Sequence, residues 1–114
     1  MHNKDKTNVE DCLMAISRIA EYTRGILDKK ELLADTKTYD AVLMNFVVIA
    51  EACKRLSTEL KDENAQVDWA GVRQFRNYLA HDYFGVDIRE VWEAIQRDLP
   101  KLKTDFEKIL ASLV

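Results

Sequence analysis

The stretch RQFRNYLAHDYFGVD, Arg73 to Asp87, gathers the residue types that act on phosphate esters. Arginine and asparagine donate hydrogen bonds to phosphate oxygens, and histidine exchanges a proton near neutral pH. On a helix advancing about 100° per residue, Val72, Phe75 and Leu79 cluster on one side as a core face. Arg76, Ala80, Arg73, Asn77 and His81 follow one another around a neighbouring arc. Arg73, Asn77 and His81 stand at i, i+4 and i+8, which makes them one polar row. Ala80 lies within the arc and is small enough to let something approach the helix closely. Tyr83 projects near Arg76 if the helix persists that far.

These groups suit a particular chemistry. No glycine-rich loop is present to cradle a nucleotide, and no carboxylate cluster is arranged for magnesium. The pattern therefore points to metal-free cleavage of RNA, with no cofactor. The substrate's own 2′-hydroxyl attacks, a histidine moves the proton, and an arginine holds the charge that grows on the phosphate oxygens. One well-placed histidine is too few for acid and base work on both sides of a phosphate, since the other, His2, sits in a polar leader. A two-fold dimer would bring two histidines and up to four arginines into one cleft. The same residues also have structural readings. Arginines on an exposed face can be merely solvated, a histidine can partner a helix C-terminus, and Tyr78, Tyr83 and Phe84 can fill gaps between helices.

The elements that must position this stretch follow from composition and periodicity. The chain has 114 residues, 47% apolar and 32% charged, as expected of one soluble globular domain spanning residues 1–114. Three glycines and one proline favour a few long helices over many strands. The net charge of −3 argues against a protein that coats nucleic acid indiscriminately, so any RNA contact must be local. Residues 8–27 carry a 3.6-residue apolar period, and residues 1–7 read as a flexible leader without a secretory signal. Asp35 or Thr36 caps a second helix running to about Leu60, the central buried one. KDENAQVD is a loop, and Asp68 caps a third helix from Trp69. Gly85 ends an irregular segment, Asp87 caps a fourth helix, Pro100 breaks or kinks the chain, and a last helix follows. The expected fold is all-α, an up-and-down bundle of four to five helices. Cys12 and Cys53 lie inside apolar patterns without metal-ligand spacing and read as buried thiols in a reducing compartment. The longest apolar run, Ala41–Ala50, is too short to cross a bilayer, so the expected location is the cytoplasm and no membrane partner is expected.

RNYLAHDY has the form R-x4-H-x-Y with asparagine directly after the arginine. With RLSTEL before it, a tryptophan opening its helix, and YFGVD and VWEAIQRDLPKLK after it, the chain resembles the HEPN superfamily. Within it the resemblance is to HepT-like toxins, from about Val9 to Leu113. The resemblance implies a dimeric helical bundle whose motifs face each other across a cleft. It also implies metal-independent endoribonuclease activity and a role as the toxin of a toxin–antitoxin pair. Carried onto this sequence, Arg76 and His81 form the catalytic pair and Asn77 their polar helper. Tyr83 is the motif tyrosine, to which a cognate minimal nucleotidyltransferase antitoxin would attach AMP. Arg73 lies outside the motif and is a candidate for positioning substrate phosphate. A different class remains open, a non-catalytic nucleotide-binding or adaptor subunit serving the nucleotidyltransferase. A third reading is a motif that only builds a dimer interface.

Overall fold

The computed structural model describes residues 3–113, and among these the chain is all-α, one domain without strands. Seven α-helices follow in order: α1 Asn3–Tyr22, α2 Lys29–Ala34, α3 Thr36–Arg55, α4 Thr58–Glu63, α5 Trp69–His81, α6 Ile88–Glu93 and α7 Leu99–Ser112. A 3-10 turn, Tyr83–Gly85, precedes α6, and a π-helical turn, Ala94–Asp98, joins α6 to α7. The apolar stripe of α3 supplies Val42, Leu43, Phe46, Ile49 and Cys53 to the core. Val9, Cys12, Ile16 and Ile19 of α1 meet it, and Leu79, Val91, Phe106 and Ile109 close it from the other helices. Each such side chain removed from water stabilises the fold by about 1.5–3 kcal/mol before conformational entropy is counted.

Asn45, the polar interruption in the apolar run, is buried and donates its side-chain N–H to the Ala41 carbonyl one turn back. That bond satisfies a polar group inside the core without a tertiary partner. Cys12 and Cys53 are buried free thiols with sulfurs 3.8 Å apart. Their mutual hydrogen bond, together with burial, pushes the Cys12 thiol far above its usual range and keeps it protonated.

Helix ends differ from the sequence expectation in informative ways. The flexible leader expected over 1–7 is, from Asn3 onward, the start of α1; residues 1 and 2, with His2, lie outside the described residues. Asp5 is responsible: its buried carboxylate accepts from the Ser57 backbone N at 2.9 Å and from Ser57 Oγ at 2.6 Å. Ser57 in turn accepts from Leu60 N as the N-cap of α4, so α3 ends at Arg55 with Leu56 as its C-cap instead of running to Leu60. At the other end α1 stops at Tyr22 rather than Leu27, and Gly25 adopts φ 85, a backbone conformation glycine tolerates. Leu27, expected on the apolar stripe, is 83% exposed.

Pro100 does not break the chain. It sits in the first turn of α7, directly after the π turn, where Leu99 N–H donates to the Ala94 carbonyl five residues back. A proline ring inside a regular helix collides with the carbonyl four residues earlier and leaves it without a donor. The wider π turn relieves both problems, so the backbone stays helical through the proline.

Candidate active site

Helix α5 begins as its sequence predicts. Asp68 accepts from Gly71 N at 2.9 Å, and Trp69 anchors the first turn by donating its indole N–H to the Asn64 carbonyl. Leu79 is buried, while Val72 and Phe75 are half-buried; Phe75 packs edge-on against Phe46 of α3, ring centres 5.1 Å apart. With this face held, Arg73, Asn77, Ala80 and His81 are all exposed, so the polar row and its small residue face outward together. Neither Arg73 nor His81 makes a side-chain hydrogen bond or ion pair among the described residues. His81 is the last residue of α5, at the negative end of the helix dipole.

Two motif groups are held by carboxylates of α3. Arg76 Nε donates to Glu51 Oε2 at 3.1 Å, and Nη1 reaches Asn77 Oδ1 at 3.5 Å. Arg76 is thus oriented by one guanidinium edge and stays 40% exposed. The Tyr83 hydroxyl donates to Asp40 Oδ1 at 2.6 Å. That bond, aided by burial and the Asp40 charge, pushes the Tyr83 phenol up to about 12. Asp40 and Glu51 lie about three turns apart on α3, roughly 16 Å along its axis. Tyr83 therefore does not return near Arg76 of the same chain, because α5 ends at His81 and the chain turns. Asp82 makes that turn by accepting from Gly85 N, and the Tyr78 hydroxyl accepts from Asp87 N at 2.7 Å.

The sequence reading missed Glu51 and Asp40. The signal was available: the two carboxylates share one stripe of an otherwise apolar central helix, with Met44 and Val48 between them. Met44 is 62% exposed and Phe84, beside Tyr83, is 98% exposed, so apolar surface borders the polar row. Among the described residues, no three His, Cys, Asp or Glu side chains converge as a metal ion would require. Likewise no described helix is long and apolar enough to cross a membrane.

An outward row of arginine, asparagine and histidine beside apolar surface invites comparison with known proteins. The sequence profile of the ribonuclease HepT-like family matches residues 12–109. The chain belongs to this family. A HepT-like relative from Thermococcus cleftensis, named "Probable ribonuclease HepT", is 37% identical over 96% of this chain and 98% of its own length. A Methanocaldococcus jannaschii protein is 34% identical over 99% of this chain but only 50% of its own length; its name joins a gamma-glutamylcyclotransferase to a candidate RNase. A second protein of that organism, also named a candidate RNase, is 30% identical over 95% of this chain and 92% of itself. No solved structure matches this HepT-like chain significantly.

Proposed function

We propose that this protein is a metal-independent endoribonuclease, the toxin of a toxin–antitoxin pair, working in the cytoplasm as a homodimer. The observation that carries the reading is the outward row on α5 in a chain of the HepT-like family: Arg76 oriented by Glu51, with Asn77 beside it and exposed His81 at the helix end. In the reaction, the RNA 2′-oxygen bonds to phosphorus while the bond to the 5′-oxygen breaks. The products are a 2′,3′-cyclic phosphate and a 5′-hydroxyl. His81 of one protomer takes the 2′-hydroxyl proton, and the partner's copy gives one to the leaving oxygen. Arg76 and Asn77 face the phosphate oxygens as charge builds, and Arg73 positions a neighbouring phosphate. The exposed Ala80, Met44 and Phe84 supply a close-approach surface for the second copy.

The cognate partner in this reading is a minimal nucleotidyltransferase antitoxin that modifies Tyr83. The tyrosyl oxygen bonds to the α-phosphorus of ATP, pyrophosphate leaves, and the hydroxyl proton is lost. The product has no proton for Asp40 and sets an anionic phosphodiester against that carboxylate, so the Tyr83–Asp40 bond is lost. In this reading the added AMP occupies the phosphate site of the dimer and blocks RNA.

The test is cleavage of single-stranded RNA by purified protein in excess EDTA, beside Arg76→Ala and His81→Ala. Wild type should leave cyclic phosphate ends, with each variant slower by about 10²-fold or more. Equal inertness of all three as dimers would leave the adaptor reading, and a requirement for a divalent ion would refute the metal-free step. Co-expression with the nucleotidyltransferase should add one AMP to wild type and none to Tyr83→Phe.

A further inference from the structure

Two cavities among the described residues carry opposite charge. One, about 250 Å³ between α3, α5 and the start of α7, is apolar with Asp68, Asp98 and Asp105 at its edge and a single lysine, Lys101. It repels polyanions. The other, about 290 Å³, runs from Arg76 and Asn77 along α5 toward α4. Four cations line it, Lys54, Lys61, Arg73 and Arg76, against the one carboxylate of Glu51. That imbalance occurs in a chain whose net charge is −3.

Each part of this groove has a structural origin. Had α3 continued to Leu60, Lys61 would have extended the line of α3. The end of α3 at Arg55 and the Ser57 cap begin a new helix, and Lys61 lines the same cavity as Trp69 and Arg73. Glu51 is occupied by Arg76, whereas Lys54, Lys61 and Arg73 make no side-chain hydrogen bond or ion pair among the described residues. Unneutralised cations beside an apolar floor of Ala50, Cys53 and Val72 repel one another and await an anion. A cavity of this size sits just below the range of whole-ligand pockets, about 300–1,000 Å³, and suits a phosphate with its sugar rather than a buried nucleotide.

We infer that the groove is an RNA backbone subsite, in which Lys54, Lys61 and Arg73 hold phosphodiesters next to the one facing Arg76. The inference rests on the ribonuclease reading for its ligand but concerns binding, not cleavage. It gives an acidic protein a local polyanion track, and it gives the enzyme a grip on a strand longer than the scissile step.

Binding of a short single-stranded RNA is measured by fluorescence anisotropy across a salt series. His81→Ala is the background, so that the probe survives. Each phosphate contact on a single strand contributes about 0.7 to the slope of log affinity against log salt. Lys54→Gln with Lys61→Gln should therefore reduce the slope by about 1.4 and weaken binding about 10-fold at moderate salt. Lys30→Gln with Lys103→Gln, exposed lysines lining neither cavity, makes the same charge change and should leave both unchanged. An unaltered slope in the first variant, an equal loss in the second, or no RNA binding at all overturns the subsite. The ribonuclease reading fails separately. Cleavage by wild type with no slope change sinks the subsite alone, and a slope change with no cleavage sinks the ribonuclease alone.

Discussion

Arg76 and Tyr83 each lean on a carboxylate of α3, with different consequences. Glu51 orients the Arg76 guanidinium through Nε, while Nη1 reaches Asn77 and Nη2 is left for an incoming phosphate. Asp40 instead accepts the only proton Tyr83 can donate, and the phenol is pushed up to about 12. A folded value above the ordinary one near 10 means the bond's contribution is whole below about pH 10. It is lost as pH rises through about 12, where the tyrosinate forms against the Asp40 charge. Tyrosine carbon-13 NMR should show Tyr83 titrating late, and Asp40→Asn should return it toward the ordinary value. Titration of Tyr83 at the ordinary value in wild type would mean the Asp40 contact is not made in solution.

Among the elements, the junction between α3 and α4 carries the most structural information. A single acidic side chain near the chain start, Asp5, ties α1 to the Ser57 cap and so sets where the central helix ends. Hydrogen bonds to a charged group contribute about 1.5–3 kcal/mol each, less when water can replace them. Asp5→Ala should cost about 2 kcal/mol in urea unfolding with an unchanged slope, and Ser57→Ala should be strongly non-additive with it. Additive losses would show that the two groups act separately. Because this junction also places Lys61 in the basic groove, the double variant should disturb RNA binding as well as stability.

For the whole molecule, the decisive question is whether two copies meet at α5. Met44 and Phe84 put exposed apolar side chains beside the polar row, and pairing would bring a second His81 to the site. Light scattering at micromolar concentration should report a dimer, and Met44→Glu should shift it toward monomer and lower cleavage together while the helical circular dichroism is kept. A monomeric, fully active wild type would refute the shared cleft.

The periodicity of Val72, Phe75 and Leu79 made the orientation of α5 legible, and the caps at Asp68 and Asp87 were legible because an N-cap is a contact within four residues. Apolar spacing likewise revealed the all-α class, and the R-x4-H-x-Y string the family, because both are local patterns along the chain. Tertiary structure alone decided that Arg76 meets Glu51, that Tyr83 meets Asp40 three turns from Glu51 on α3, and that Asp5 anchors Ser57, the cap of α4. Those pairings join residues 25 to 52 positions apart, and no local preference encodes which carboxylate a side chain will meet once the helices pack.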